Sequence, residues 1–351
     1  MRVFVAITNP YQLQPYIYTL IDAIRKVDPD VEIGWGMKNF WSDSIYKYQI
    51  VHIHWPHVLL EKTPETHDAN EVECRLLTLK ENGIKIVTTC HNLEPHYWPN
   101  EDVKACYKIA YGLSDTIIHL GDYSRKLFED TYPKASNVLV YHHVYDTVYK
   151  ANTKRKKGLE VLHLNKKNRY IICLGAFRDF EERNIILQLG QSLQKTNIYI
   201  LAPSFSKKSN IRTFVQLLKD VWGKYVLKYH YHILYNESGF VEDEELPYYY
   251  SVSDIALIHR KKILNSGNVF MAMYMGKAII GPDVGNVGEL LRMTGNQVFN
   301  PQNFTDLKEK VLALLDNCHT IGTNNFKFAM KNLKTEMVAA QLYRVFCDLL
   351  K

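Results

Sequence analysis

Residues Leu264–Asp283 read LNSGNVFMAMYMGKAIIGPD. Asn265-Ser266-Gly267 stands directly before an unbroken apolar run that ends at Gly276, and Ala278-Ile279-Ile280 follows as a short β-like run. A buried helix that begins on two small polar residues and a glycine has two readings. One is an ordinary Ser or Asn N-cap. The other is a helix start kept bare for an anion: the first backbone N–H groups have no partner within the helix and carry partial positive charge. Gly267 removes the side chain that would block close approach, and Ser266 can add a hydroxyl donor.

Outward from this stretch, strand and helix signals alternate along the chain. Upstream in the same half, strands are expected at Tyr170–Leu174 (within YIICLG), Ile198–Leu201, Tyr229–Leu234 and Ile255–Ile258. Helices are expected near Arg183–Gln194, Ile211–Trp222 and Glu244–Ser251. Downstream come helix Val287–Met293, strand Gln297–Phe299, helix Thr305–Asp316 and a long amphipathic helix at Lys331–Lys351. The first half repeats the rhythm. Its strands are Arg2–Ile7, Val31–Trp35, Ile50–His54, Ile84–Thr89, Thr116–Leu120 and Val138–Val140. Its helices are Gln12–Lys26, Glu71–Asn82, Val103–Leu113 and Ser124–Asp130. This βαβ order predicts parallel, doubly wound α/β sheets. The polar seam around Lys154-Arg155-Lys156-Lys157 reads as an interdomain linker or as a solvated loop. The expected division is residues 1–150, a linker at 151–167, residues 168–330, and a terminal helix at 331–351. Two such sheets imply a cleft, with ligands beyond the carboxyl ends of the strands.

The chain has 351 residues, which suits two domains, and 46% hydrophobic with 23% charged residues mark it as globular. A net charge of +6 with no zinc-finger or RNA-binding pattern argues against a nucleic-acid partner and fits an anionic ligand, an anionic membrane face or no particular partner. The six cysteines form no CxxC pair and read as buried free thiols of a reducing compartment. The opening MRVFVAITNPYQ is a strand and turn rather than a signal peptide. No apolar run approaches a membrane span. A cytoplasmic protein is expected.

Basic residues gather at strand ends of the second half: Arg260, Lys261 and Lys262 before the Asn265–Asn268 turn, and Arg178 and Arg183 after the Tyr170–Leu174 strand. A diphosphate needs such cations beside N–H donors, although loop lysines and arginines are commonly just solvated. Glu289 is placed at a helix start, where it could accept from a ribose or sugar hydroxyl or simply favour the helix. In the first half, VHIHWPH supplies His52, His54, Trp55 and His57, and CHNLEPH supplies His91, Glu94 and His96. His119 and His142-His143 lie farther on. His91, directly after a β-run, suits a general base or a sugar-hydroxyl contact. His52 and His54 share one strand face, a spacing that could bind metal or form a core pair. Trp55 and Tyr97-Trp98 offer faces for sugar stacking or for packing. Asp28-Pro29-Asp30 is literally a DxD, but its central proline makes it turn chemistry.

Together NPYQ (with Asn9), VHIHWPH, VTTCHNLEPH, SDTIIHL, VYHHVYD, GFVEDEELPYYYSVSDIALI and ILNSGNVFMAMYMGKAIIGPD make the chain resemble GT-B glycosyltransferases. The resemblance is to the family-4-like group of bacterial capsular and exopolysaccharide biosynthesis, and it covers nearly the whole chain. It implies a UDP- or GDP-linked sugar donor on the C-terminal domain and a glycan or lipid-linked oligosaccharide acceptor on the N-terminal side. It also implies no cofactor or bound metal, and a last helix that packs back on the N-terminal domain. Arg178 and Arg183 look like the pair on the donor diphosphate, with Arg260, Lys261, Asn265, Ser266, Gly267, Asn268 and Glu289 around the donor. His91 matches the histidine near the reacting sugar, with Asn9, His54, Trp55, His96 and His142 on the acceptor side. A position peripheral to the cytoplasmic membrane face follows from the same resemblance. Many relatives carry two glutamates spaced E-x7-E; here those positions are Ile263 and Met271. A non-catalytic GT-B-shaped scaffold and a metal-dependent hydrolase built on His52 and His54 are the alternative readings.

Overall fold

A computed structural model describes the chain apart from residues 13–14, 62–66, 96–99, 207–213 and 237. The chain forms two compact units: Met1–Thr147 with Asn332–Lys351, and Val148–Lys331.

The first unit runs β1 (Arg2–Ala6), α1 (Pro15–Val27), β2 (Glu32–Trp35), α2 (Met37–Phe40), β3 (Ile50–Ile53), α3 (Ala69–Glu81), β4 (Lys85–Cys90), α4 (Glu101–Leu113), β5 (Thr116–His119), α5 (Asp122–Thr131) and β6 (Ser136–Leu139). The second contains α6 (Arg155–Val161), β7 (Arg169–Ile172), α7 (Phe180–Ser192), β8 (Ile198–Leu201), α8 (Phe214–Tyr229), β9 (Ile233–Leu234), α9 (Leu246–Val252) and β10 (Ile255–Leu257). It continues through α10 (Gly267–Tyr274), β11 (Ala278–Pro282), α11 (Gly285–Met293), β12 (Gln297–Phe299), α12 (Leu307–Asp316) and α13 (Cys318–Asn332); α14 (Thr335–Leu349) closes the chain in the first unit.

Each sheet has six strands, in the orders β2-β1-β3-β4-β5-β6 and β12-β11-β10-β7-β8-β9, and every strand pairing is parallel. Parallel sheets are covered on both faces, and the period-2 alternation of β1 shows how. Val3 and Val5 enter a core with Ile17, Leu20 and Ile24 of α1 and Val338, Leu342 and Phe346 of α14. Phe4 and Ala6 enter the opposite core with Phe40 of α2, Val72 and Leu76 of α3 and Ala110 of α4. In the second unit Ile171, Leu257 and Ile280 pack with Ile185 and Leu189 of α7 and Val311 and Leu314 of α12.

The terminal helix is shorter than the periodicity predicts. A break at Leu333-Lys334 separates α14 from α13, a helix that polar CHTIGTNNFKFAMKN did not announce. Thr335 secures the junction: its hydroxyl donates to the Val144 carbonyl (2.9 Å) and its N–H to Asp146 (3.1 Å). The Asp28-Pro29-Asp30 turn is closed by the Asp30 N–H on Asp28 Oδ1 (3.0 Å), and Tyr343 of α14 donates to the other carboxylate oxygen (2.6 Å). The segment read as a linker carries α6, which packs against α9 of the second unit. All six cysteines are free, but Cys74 is exposed and Cys347 half-buried, so only four are buried thiols.

Candidate functional site

In the second sheet β10 lies between β11 and β7, and the chain moves outward in opposite directions from the β7–β10 pair. That is a topological switch point, where ligands of open α/β sheets sit at the carboxyl ends. Three segments leave those ends: Cys173–Asp179 after β7, Ile258–Ser266 after β10, and Asp283-Val284 after β11.

The Asp179 side chain caps α7 by accepting the Glu182 N–H (2.8 Å), so the helix begins three residues before the predicted Arg183. Glu182 is then buried within the first turn, where its Oε2 accepts the Arg178 backbone N–H (2.8 Å) and the Arg260 guanidinium (2.5 Å). A buried carboxylate thereby holds Arg260 in place. Lys261 pairs with Glu181 (2.6 Å), and the Arg178 guanidinium donates to the Lys262 carbonyl (3.4 Å). Beside them His259 accepts or donates at Nδ1 with the Cys173 thiol (3.1 Å), and burial drives its pKa down to about 3, with the neighbouring Arg260 adding to the effect. Asn268 donates from Nδ2 to the Leu174 carbonyl (3.0 Å), tying the start of α10 to the end of β7. Gly175 stands among these groups at φ +101°; a Cβ there would lie 3.3 Å from Arg260 Nη2 and 3.4 Å from Asn268 Nδ2. On the other side Asn286 donates to Asn265 Oδ1 (2.8 Å).

Ser266 occupies the N-cap position of α10 but makes no side-chain cap hydrogen bond. A serine cap at Ser266 thus lacks its defining contact. Two other expectations change. Glu289 is the fifth residue of α11, whose first turn holds no acid, because the helix begins at Gly285 rather than Val287. Gly285 takes φ +56° with the Ile263 carbonyl oxygen only 2.7 Å from where a Cβ would be, so the earlier start depends on a glycine the periodicity does not register. Arg183 bonds the Phe205 carbonyl, with its guanidinium 5.3 Å and 5.4 Å from the Phe177 and Phe205 rings. It therefore reaches toward the segment after β8. The sequence reading missed Glu182, Gly175, His259 and Asn286; the Asp179-x-x-Glu182 capping spacing was the available signal for the first.

In the first sheet the switch point lies between β1 and β3. The predicted residues largely meet there. His54 Nδ1 and His91 Nε2 are 3.1 Å apart, and the Trp55 and His91 rings stack at 4.8 Å. Tyr16 of α1 is the missed hub: its ring lies 5.3 Å from His91, 4.3 Å from His142 and 4.9 Å from His143. His52 shares a hydrogen bond with Thr89 (2.8 Å). Desolvation holds His52 and His91 down to about 3 and His54 and His142 well below the ordinary range. These imidazoles are neutral at neutral pH. His91 can donate or accept a hydrogen bond but is a weak base, since a general base works best near the operating pH. Asn9 accepts the Tyr11 N–H (3.0 Å) in a turn. His96 lies outside the described residues, as do Tyr97 and Trp98. Among the described residues no three His, Cys, Asp or Glu side chains gather as a metal-ligand set, and the shared strand face of His52 and His54 is spent on Thr89 and His91.

Two doubly wound parallel sheets, each with its strand-end site, are the architecture of a GT-B fold. Solved structures share it along the whole chain. Sucrose-phosphate synthase from Thermosynechococcus elongatus matches with a TM-score of 0.72 at 12% identity, over 100% of this chain and 99% of that one. Anabaena HepE in complex with UDP-glucose matches with a TM-score of 0.72 at 11% identity, over 99% and 100%. A glycosyltransferase from Rickettsia africae matches with a TM-score of 0.66 at 14% identity, over 100% and 98%. No protein-family model matches the chain, and no curated protein matches it by sequence.

Proposed function

We propose that the protein is a glycosyltransferase that takes a sugar from a UDP- or GDP-linked donor and passes it to a glycan or lipid-linked oligosaccharide acceptor in surface polysaccharide synthesis. The observation that supports this best is the start of α10, where Ser266 makes no side-chain cap bond, beside Gly175 and the Glu182-anchored Arg260 at the switch point of the second sheet. Backbone N–H groups, a fixed guanidinium and room for close approach are what a diphosphate requires. The UDP-glucose bound to the HepE neighbour agrees with that chemistry.

In this reading Arg178, Arg260 and the Ser266-Gly267 amides neutralise the diphosphate as the glycosidic bond breaks, when its negative charge grows. Groups fixed before that moment lower the barrier without reorganising. Lys261, Asn265 and Asn268 shape the same pocket, Arg183 and Glu289 border it, and no metal or cofactor is invoked. His91, supported by His54, Trp55 and His142 and with Asn9 on the same acceptor side, orients the acceptor hydroxyl by hydrogen bonding; its low pKa argues against a role as base.

Incubation with UDP- and GDP-sugars and a lipid-linked oligosaccharide tests the proposal, reading free nucleotide and extended acceptor together. Both should rise in equal amounts, and Ser266→Trp should abolish both. Nucleotide binding without turnover would favour the scaffold reading. An altered sugar still joined to its nucleotide would overturn transfer.

A further inference from the structure

Helix α8 turns an apolar stripe to solvent. Leu218, Val221, Trp222, Tyr225 and Tyr229 are each between 54% and 68% exposed, while Leu227 packs on the core of the second unit. At about 3.6 residues per turn these five fall on one face, within roughly a third of the helix circumference. The stripe is continuous: the Trp222 and Tyr225 rings stack at 5.9 Å, and Tyr225 and Tyr229 lie 4.7 Å apart. Lys219 borders one side of it. Lys228 borders the other, with its ammonium 5.1 Å from the centre of the Tyr229 ring.

Scattered exposed apolar residues are ordinary, but a contiguous aromatic stripe marks a surface that is covered in use. The flanking charge decides what covers it. In a second copy of the chain, the stripe would bring the flanking lysines against like charges. A lipid surface with anionic headgroups answers both features: Trp and Tyr settle at headgroup level, and lysines reach past them to phosphate. The net charge of +6 acts in the same direction. Among the described residues no helix is long and apolar enough to cross a membrane, so such contact is peripheral.

We propose that the outer face of α8 is an interfacial anchor that seats the second unit on an anionic lipid bilayer. The inference does not depend on the nucleotide-sugar reading. Co-sedimentation with vesicles of phosphatidylcholine containing about one-third phosphatidylglycerol tests it. Wild-type protein should pellet with these vesicles and far less with pure phosphatidylcholine. A Trp222→Glu/Tyr225→Glu variant should lose at least about tenfold in affinity, and Lys219→Glu/Lys228→Glu should lose its preference for the anionic vesicles. The substituted side chains are exposed, so unchanged thermal melts, and unchanged melting shifts with any nucleotide that binds, will show that the fold and nucleotide site survive. Wild-type protein that ignores anionic vesicles, or variants that pellet equally well, would overturn the proposal. So would wild-type dimers in light scattering that the Trp222→Glu/Tyr225→Glu variant dissociates, which would make the stripe a self-association surface.

Discussion

Glu182 is a carboxylate with almost no solvent contact, and it carries both an arginine side chain and a backbone N–H. Glu182→Gln keeps the shape but leaves Arg260 without its counter-charge. Breaking a buried pair in this way costs about 3 kcal/mol; urea denaturation should show that loss, and nucleotide affinity should fall with it. Gly175 makes a complementary case. Gly175→Ala places a side chain at φ +101° and a methyl 3.3 Å from the Arg260 guanidinium. Backbone strain of about 1–2 kcal/mol is expected in the melting curve, with a larger proportional loss in nucleotide binding than Glu182→Gln produces per unit of lost stability. At this scale the sequence was informative where chemistry is local. Asn265–Asn268, Arg178 and Arg260 meet because each follows a strand of one sheet. Glu182 and Tyr16 escaped notice because their importance lies in partners distant along the chain: Arg260 for one, and His91, His142 and His143 for the other.

Strand-helix order was largely readable, because period-2 and period-3.6 apolar patterns are strong in a sheet buried on both faces. Errors fell where another force set the boundary. The Asp179 cap moved the start of α7, and Gly285 moved that of α11. The amphipathic signal of the last helix ran through the break at Leu333-Lys334, which a hydroxyl and a carboxylate fix through tertiary hydrogen bonds. Helix α14 packs on α1, with Phe346 buried between the layers. Phe346→Ala should therefore cost about 3–5 kcal/mol, visible as a lower urea midpoint; a cost under about 1 kcal/mol would show that α14 is not part of the first unit's core.

For the molecule as a whole the histidines set an acid limit. His52, His91 and His259 are held neutral down to about 3, whereas an unfolded chain protonates them near 6.5. Above that pH neither state binds the proton, and the folded state keeps its full stability. As pH falls from about 6.5 toward 3 only the unfolded chain gains protons, so stability declines by up to about 1.4 kcal/mol per pH unit for each such histidine. Melting temperature should drop steadily between pH 6.5 and pH 4, and His52→Gln should flatten the slope. A profile level across that range would contradict the buried, neutral assignment.

In the proposed transferase the start of α10 and the Glu182-anchored Arg260 hold a nucleoside diphosphate. Calorimetric titration of UDP, and separately GDP, into wild-type protein and Ser266→Trp tests it most directly. Wild type should bind one of the two nucleotides saturably and one-to-one and the variant neither, with both proteins melting at the same temperature. Absence of binding by either nucleotide, or equal affinity in both proteins, would contradict it.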